Sequence, residues 1–368
     1  MNLRYLLFLI IFPISLISCA QNKKQVYDNY DYEVVVPDLT IPWGIAFLPD
    51  NSMLITEKEG KLIHFKNGKK TNIEGLPEIY VRGQGGLMDI KLHPDYKSNG
   101  WIYFTYASPK GEGDGGNTAI MRAKLKDNKL TDKQLLYKAE PNSTRGQHFG
   151  SRIAFDDKGY LFFSIGERGD RDNNPQDITR DCGKIYRLNA DGSIPNDNPF
   201  VNTPNAKKAI YSYGHRNPQG LIFNPKTGEI WDHEHGPQGG DEINVIQPGK
   251  NYGWPKISYG INYNGTKFTE YTALPGMEQP MHYWVPSIAP SGMAYVTSDI
   301  YPNWKGNVLV GSLKFLYLDN CYIKDGKVVK EEQLLKNLGR VRSVVEGPDG
   351  YIYVGIENLG VVKIIPKK

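Results

Sequence analysis

Residues 213–255 combine the side chains of a chemical site with the loop residues that hold such a site in place. Two polar segments, GHRNPQG and HEHGPQGGDEINVIQPGKNYGWP, flank a short apolar stretch with a turn at its middle. They supply a cation, amide side chains, imidazoles and carboxylates, and their Gly and Pro residues favour loops over helices. Because the apolar stretch reads as a β-hairpin, we expect both polar segments to lie at strand ends.

The second polar segment is rich in oxygen atoms that bind hard cations. Calcium takes carboxylate and carbonyl oxygens, and a Gly-Pro loop can supply carbonyls from its main chain. The candidate ligands are Gly236, Pro237, Asp241, Glu242 and Tyr252. A turn that only caps the next strand is the alternative. His233 and His235 would lie on one face of a strand and suit zinc, but no third ligand is evident, so calcium is preferred.

A pattern of two strands joined by a turn recurs six times along the chain. The copies span residues 43–57, 86–107, 150–167, 219–236, 291–313 and 342–360. Units of this kind stack round an axis as the blades of a β-propeller. The sequence therefore predicts an all-β, six-bladed β-propeller. Single strand patterns at the two ends, DYEVVVPDL and GVVKIIP, are expected to close the ring in one shared blade.

Equivalent positions of the copies lie at one height round the axis, so residues just before each first strand are expected to meet at the mouth of the central channel. The polar residues at or near these positions are Gln84, His148, Arg216, Asn217, Lys314, Arg340 and Arg342. Arginine forks donate paired hydrogen bonds to carboxylates. The set predicts a pocket for a polar, anionic and planar ligand, although a lone arginine on a loop is usually solvated.

Within this set His148 is the candidate general base, with a structural loop histidine as the alternative. Glu167 ends the second strand of the same copy. A carboxylate there would fix the imidazole tautomer and stabilise the imidazolium. An exposed glutamate at a strand end is the competing interpretation.

Composition supports the β assignment and excludes one class of partner. The chain has 368 residues with 24 Tyr, 39 Gly and 24 Pro, residues typical of strands and turns. The formal net charge is only +4, and the lysines are scattered rather than gathered on one stripe. No general basic field for nucleic acid is present, so we exclude nucleic acid as a partner.

The first residues read as an export signal. An apolar run after Arg4 is too short for a comfortable membrane span, and LISC resembles a bacterial lipobox, in which the cysteine is acylated after cleavage. We expect a lipoprotein signal over 1–18, a tether over 19–30 and the propeller over 31–368. The protein would lie on the periplasmic side, held by a lipid on Cys19, with an ordinary signal peptide as the alternative. Cys182 and Cys321 are expected to be free and buried.

Several long motifs, in order, resemble the soluble aldose sugar dehydrogenases, relatives of soluble quinoprotein glucose dehydrogenase. Among them are GQGGLMDIKLHP, HFGSRIAF, IGERGD, YGHRNPQGLIFNP, EHGPQGGDEINVI and GRVRSVVEGPDGYIYV. The resemblance covers residues 31–366. It implies a six-bladed propeller that binds pyrroloquinoline quinone (PQQ) and calcium, and oxidises aldoses at the anomeric carbon to lactones. Hydride would pass to the quinone and the electrons to an external acceptor.

The resemblance also implies roles for single residues. His148 would take the sugar hydroxyl proton, supported by Glu167, and Arg216 would polarise the quinone oxygens. Gln84 and Asn217 would line the substrate site. The residues implied in cofactor binding are Arg216, Asn217, Tyr263, Lys314, Arg340 and Arg342. Those implied in calcium binding are Gly236, Pro237, Asp241, Glu242 and Tyr252.

The chain departs from the glucose dehydrogenases at three places. Glu167 stands where they have Asp, His235 stands where they have Gln, and residues 263–284 form a shorter region, which suggests an open and unselective sugar site. Two other classes compete with a dehydrogenase. A calcium-dependent lactonase would need a carboxylate-rich channel, and a non-catalytic binding propeller would have no use for His148 and Arg216 in this register. The partners expected are an aldose and an unidentified electron acceptor, with a monomer or homodimer.

Overall fold

A computed structural model describes residues 29–367, which form six four-stranded antiparallel sheets arranged as blades. Blade 1 contains β2 (Pro42–Phe47), β3 (Met53–Glu57), β4 (Lys61–Lys66) and β5 (Lys69–Asn72). Blade 2 contains β6 (Leu87–Leu92), β7 (Trp101–Ser108), β8 (Asn117–Lys126) and β9 (Lys129–Lys138), with the short helix α1 (Tyr96–Asn99) after β6. Blade 3 contains β10 (Ile153–Phe155), β11 (Leu161–Ile165), β12 (Lys184–Leu188) and β13 (Ile210–Tyr213).

The remaining three blades repeat the same order, and the last is built from both ends of the chain. Blade 4 contains β14 (Pro218–Asn224), β15 (Glu229–Glu234), β16 (Asp241–Ile246) and β17 (His282–Trp284). Blade 5 contains β18 (Pro290–Tyr295), β19 (Val308–Ser312), β20 (Tyr317–Lys324) and β21 (Lys327–Leu334). Blade 6 contains β22 (Val341–Glu346), β23 (Ile352–Ile356), β24 (Gly360–Pro366) and β1 (Tyr30–Pro37).

The ring closes as the sequence predicts. Strand β1 pairs antiparallel with β24, from Tyr30 opposite Pro366 to Pro37 opposite Gly360. The first strand of each blade contacts the first strands of the blades on both sides, including β22 against β2. The six-bladed β-propeller is therefore confirmed, and its first strands surround the axis. Strand β1 begins at Tyr30, one residue before the predicted start of the propeller.

The burial of the strands explains their sequences. Inner strands such as β3 are buried along their whole length because blades cover both faces. Outermost strands such as β21 are exposed and rich in Lys and Glu, which discourages pairing with another chain. The apolar clusters lie between successive blades, for example between β2–β4 and β6–β8.

Most first strands carry an irregularity at the end where the predicted polar residues lie. The pairing register shifts near the start of β2, β6, β14, β18 and β22. A β-bulge bends a strand and redirects its side chains. In β14 the shift falls at Gly220, where an added Cβ would lie 2.4 Å from the His233 ring. These bulges place the residues preceding the first strands around the channel.

Arg152, which the sequence analysis does not single out, lies on the axis of the ring. Its guanidinium donates to the Gln219 carbonyl at 2.7 Å, the Trp43 carbonyl at 3.0 Å and the Arg342 carbonyl at 2.7 Å. It also reaches Asp89 Oδ1 and Ser291 Oγ, both at 3.4 Å. One side chain from blade 3 thus contacts the other five blades. Burial lowers its pKa to about 10, so the charge persists at neutral pH.

The structure also bears on the ends of the chain and on the cysteines. Cys182 and Cys321 are free and buried, as predicted. The predicted signal and the Cys19 anchor lie outside the described residues. Within residues 29–367, no helix has the length and apolar character needed to span a bilayer.

Candidate active site

The centre of the site is an imidazole–carboxylate pair. His148 Nδ1 makes a short hydrogen bond with Glu167 Oε1, and both side chains are largely buried. Desolvation, followed by the nearby Arg216 cation, lowers the pKa of His148. The imidazole is therefore neutral at neutral pH. With Nδ1–H donated to Glu167, the lone pair is on Nε2, the arrangement that a general base requires.

The main chain holds His148 in an unusual conformation. Its φ is +57°, in the left-handed region that residues other than Gly rarely adopt. Gln84 Oε1 accepts the His148 amide at 2.8 Å, which fixes this turn. Strained backbone of this kind gathers at functional sites because surrounding contacts must hold it. Gln84 therefore supports the imidazole as well as facing the cavity.

Arg168 holds the loop that precedes His148. Its buried guanidinium donates to the carbonyls of Arg145 at 2.8 Å and Gly116 at 3.1 Å, and makes a short bond to the Gln147 carbonyl. The IGERGD motif contains this arginine, but the sequence alone predicted no role for it. The sequence feature that could have indicated this role is a charged residue directly after Glu167, just beyond a fully buried strand.

Arg216 enters the site from the start of blade 4. Its guanidinium donates to the Gly236 carbonyl at 2.7 Å and to the His235 carbonyl at 3.2 Å. Its own amide donates to Glu234 Oε2 at 2.5 Å. The side chain is buried, so the cation is fixed beside His148 in a low-dielectric environment.

Glutamates at or just after the ends of second strands form a repeated support that was not predicted from the sequence. Glu57 accepts the Thr40 amide at 2.6 Å, and Glu234 accepts the Arg216 amide. Glu167 holds His148, and Glu357 holds the arginines at the start of blade 6. Each glutamate thus supports the residues before the first strand of its own blade. The repetition is visible in the sequence as ITE, IGE, DHE and GIE, which close the second strand pattern of four copies.

A cavity of about 650 Å³ opens beside the pair. Of the predicted site residues, it is lined by Gln84, His148, Glu167, Arg216, Pro237 and Tyr263. Further lining residues that the sequence analysis did not select include Arg145, Asp170, Arg171, Trp254 and Asn262. Tyr263 is 75 % exposed at the rim. The structure therefore brings together the predicted base, its carboxylate, a cation and a carbonyl-bearing loop.

Asn217 does not line this cavity and is fully buried beneath it. Its Oδ1 accepts the Gly150 amide at 3.0 Å, whereas its Nδ2 has no hydrogen-bond partner among the described residues. A buried donor without an acceptor is costly. An unsatisfied buried donor thus lies on the residue that follows Arg216.

The cations predicted to bind carboxylates do not line the His148 cavity: Lys314 follows the second strand of blade 5, and the two arginines lie at the start of blade 6. Arg340 Nε and Arg342 Nε donate to the two oxygens of Glu357 at 2.8 and 2.9 Å. Arg340 also donates to the Leu313 carbonyl at 3.1 Å, which brings it next to the exposed Lys314. The sequence predicted one pocket, whereas the structure pairs both arginines with Glu357 of their own blade in a second cationic group.

The Gly236 loop is organised by Asp241. Asp241 Oδ1 accepts the Gly236 amide at 2.7 Å and Oδ2 accepts the Ala289 amide at 2.8 Å. Burial raises the pKa of Asp241 to about 6. Both oxygens of this predicted ligand are thus already hydrogen-bonded. The Gly236 carbonyl faces Arg216, and the Pro237 carbonyl accepts the Ser287 hydroxyl at 3.2 Å.

A second oxygen-rich group lies behind this loop, on one face of β15 and β16. Asp232 pairs in register with Asn244, and Glu234 with Glu242. Both Asp232 carboxylate oxygens and Asn244 Oδ1 are buried without a hydrogen-bond partner among the described residues. Burial, and then the Glu234 carboxylate, raise the pKa of Glu242 well above its ordinary value.

Tyr252 packs beside this group but does not direct its hydroxyl into it. The ring stacks on His215 with centroids 4.6 Å apart, and the hydroxyl donates to the Val245 carbonyl at 2.6 Å. It also accepts the Gln247 amide at 3.0 Å. A ligand from Tyr252 would therefore be its main-chain carbonyl.

The zinc alternative finds no support at His233 and His235. Their Nε2 atoms lie 3.1 Å from the Gly292 carbonyl and 2.7 Å from the Pro290 carbonyl. Burial lowers the pKa of both imidazoles, so both are neutral donors to blade 5. Neither histidine belongs to a metal-ligating cluster in the described part of the chain.

Comparison with known proteins places the chain among sugar dehydrogenases. The family described as glucose/sorbosone dehydrogenase matches residues 39–362. The aldose sugar dehydrogenase YliI of Escherichia coli K12 is 43% identical over 351 residues, covering 93% of this chain and 94% of that protein. Quinoprotein glucose dehydrogenase B of Acinetobacter calcoaceticus is 32% identical over 330 residues, covering 81% and 67%.

Two solved structures extend the comparison. The apo form of the soluble E. coli aldose sugar dehydrogenase aligns with a TM-score of 0.87 and 40% identity, over 92% of this chain and all of that one (100%). The PQQ-bound aldose sugar dehydrogenase of Streptomyces coelicolor aligns with a TM-score of 0.74 and 27% identity, over 92% and 98%.

Proposed function

The chain belongs to the glucose/sorbosone dehydrogenase family, and from that premise we propose that it is a PQQ- and calcium-dependent aldose dehydrogenase. It oxidises the anomeric carbon of an open range of aldoses to the lactone and passes the electrons to an external acceptor. The observation that carries this proposal is the buried His148–Glu167 pair facing the same open cavity as Arg216.

The base acts on the anomeric hydroxyl. His148 Nε2 takes the hydroxyl proton, while Glu167 holds the ring and stabilises the imidazolium that forms. When bound, PQQ supplies the two-electron acceptor for the hydride from C1, and calcium polarises it. The Arg216 cation stabilises negative charge that develops near the cavity, since it is buried and already oriented.

The residues present fit a planar, polyanionic quinone. The unpartnered Asn217 Nδ2 beside Arg216 supplies a buried donor for a carbonyl oxygen. Lys314, Arg340 and Arg342 supply cations for carboxylates, which would share the arginines with Glu357.

The oxygen-rich groups fit calcium at two places. The Gly236 and Pro237 carbonyls lie beside the cavity, and a cation there would compete with Arg216 for the first of them. The unpartnered oxygens of Asp232 and Asn244, together with Glu242, fit a second ion, which Tyr252 would complete through its carbonyl. Three carboxyl groups on one buried face need such a cation, or protons, to compensate their charge.

The pH dependence of activity follows from His148. Because the pKa of His148 lies below the ordinary 6.5, the imidazole stays neutral at slightly acidic pH. The fall of kcat/KM with decreasing pH, the acid limb of the profile, is therefore expected below about pH 6.5. Glu167 raises the pKa of His148, so Glu167→Gln should move the limb to still lower pH and reduce the rate. A limb that moves upward in Glu167→Gln would contradict the pairing.

Cofactor affinity should depend on the second cationic group. Arg340→Ala and Arg342→Ala each remove a charge-assisted donor, so PQQ binding should weaken by about ten- to a hundredfold. The rate of the saturated enzyme should change much less. Lys305→Ala, an exposed cation paired with Asp299, is the control and should leave PQQ affinity unchanged. Equal loss in all three variants would refute the assignment.

Export and lipid anchoring form a further part of the proposal, supported by the sequence of residues outside the described range. LISC and the short apolar run point to acylation of Cys19. Cys19→Ala should abolish incorporation of a labelled fatty acid and release the protein from the membrane fraction. Unchanged labelling in Cys19→Ala would exclude the anchor.

One preparation tests the proposed function against a hydrolase. The purified protein is reconstituted with PQQ and calcium, and dye reduction is followed with glucose and other aldoses. Lactone hydrolysis is measured in parallel with calcium alone. We expect dye reduction that requires both PQQ and sugar, with no hydrolysis. Hydrolysis without dye reduction would replace the proposal with a lactonase.

A further inference from the structure

Three metal-ligating side chains meet between blades 4 and 5, and a histidine lies beside them, on strands that take no part in the site described above. Asp319 and Cys321 lie on β20, Glu331 on β21 and His282 on β17. One ligand atom from each of Asp319, Cys321 and Glu331 lies within 4.8 Å of the other two. His282 Nε2 lies 3.3 Å from Glu331 Oε1.

Strand geometry explains why these side chains converge. Asp319 and Cys321 are two apart, so they point to the same face of β20. Glu331 is the register partner of Cys321 on β21. His282 reaches the group from blade 4, and Trp284 of the same strand donates a short indole hydrogen bond to Glu331. Blade 5 thus supplies three converging ligands, and blade 4 places an imidazole beside Glu331.

The group contains a buried polar atom that the protein does not satisfy. Asp319 is only 1 % exposed, yet its Oδ1 has no hydrogen-bond partner among the described residues. A buried carboxylate oxygen without a donor is costly and needs a proton or a cation. This unpartnered oxygen belongs to the same cluster as the thiol, and this points to a cation as the missing partner.

We propose that His282, Asp319, Cys321 and Glu331 form a binding site for a zinc-like divalent transition metal that links blades 4 and 5. Imidazole, thiolate and carboxylate together suit zinc and its neighbours, whereas calcium takes oxygen ligands alone. Four protein ligands leave no open position, so the site is structural rather than catalytic.

The surroundings provide both access and rigidity. Asp319 and Glu331 line an open cavity of about 740 Å³, which offers an entry path for the ion. Cys321 and Trp284 belong to the apolar cluster between the blades, which holds the ligands in place. The site is independent of the proposed dehydrogenase activity and of its calcium positions.

Cobalt titration tests the proposal. The purified full chain is freed of transition metals, kept in excess calcium and titrated with Co²⁺ under reducing conditions. We expect one equivalent to produce a thiolate-to-cobalt charge-transfer band, which Zn²⁺ abolishes by displacement. Cys321→Ser should remove the band. Cys182→Ser, the other buried cysteine, should keep it.

Two milder variants cover the case in which Cys321→Ser does not fold. Glu331 and His282 are partly exposed, so Glu331→Gln and His282→Asn should fold and weaken cobalt binding at least about tenfold. Added Zn²⁺ should also raise the Tm of the unaltered protein but not that of His282→Asn. The proposal is overturned if no thiolate band forms, or if these variants bind cobalt as tightly as the unaltered chain does.

Discussion

His148→Ala is expected to lower kcat by about two to four orders of magnitude while PQQ binding stays largely intact. The imidazole is the group that takes the anomeric proton, and Glu167 fixes it in the neutral tautomer with Nε2 available. The cations and donors that fit the cofactor lie on Arg216, Asn217 and the group around Glu357, and the substitution leaves them in place. Steady-state dye reduction, together with a PQQ binding titration, separates the two effects.

A matched histidine provides the control for this prediction. His64 lies on β4 of blade 1, away from the cavity, and bonds Ser52 Oγ at 2.9 Å. His64→Ala should retain full turnover. If His148→Ala turns over at the unaltered rate, His148 is not the base. If it loses PQQ binding as well, the histidine is needed to build the site.

Arg152→Met is expected to destabilise the propeller by about 3–5 kcal/mol, the cost of removing one partner from a buried ionic network. The guanidinium donates to acceptors on the five other blades, and its loss removes this shared donor and leaves the buried Asp89 carboxylate without its cation. Urea unfolding of the cofactor-free protein measures the change.

Two further arginine variants give this prediction its controls. Arg152→Lys keeps the charge but loses the several donors of the planar guanidinium. Its destabilisation should therefore lie between that of Arg152→Met and zero. Arg180→Met removes an exposed arginine that pairs with Asp170 at 3.2 Å, and should cost less than about 1 kcal/mol. If Arg152→Met lowers the free energy of unfolding no more than Arg180→Met does, Arg152 does not hold the ring together.

The fold could be predicted because its information is local and repeated. Each blade carries its own two-strand pattern, and the unmatched strands at the two ends indicate a shared blade, which the pairing of β1 with β24 confirms. The register of the copies predicted that Gln84, His148, Arg216 and Glu167 lie together. The structure places all four in the lining of one cavity.

Contacts between blades could not be predicted in this way. Arg152 reads as one charged residue in an apolar strand, and only the closed ring reveals that it touches five blades. Glu357 determines where Arg340 and Arg342 point, so the mouth divides into two groups instead of one pocket. Asn217 is buried instead of lining the cavity, and the Tyr252 hydroxyl bonds the Val245 carbonyl. Sequence register predicts the position of a residue along the propeller axis, but not how deeply its side chain is buried.

The central claim is that the chain removes hydrogen from the anomeric carbon of an aldose. The most direct test is single-turnover reduction of the protein reconstituted with PQQ and calcium, using glucose deuterated at C1, glucose deuterated at C2 and unlabelled glucose. We predict slower reduction with the C1 label alone and none without PQQ. Equal rates for all three sugars, or no reduction of the reconstituted protein, would contradict the account.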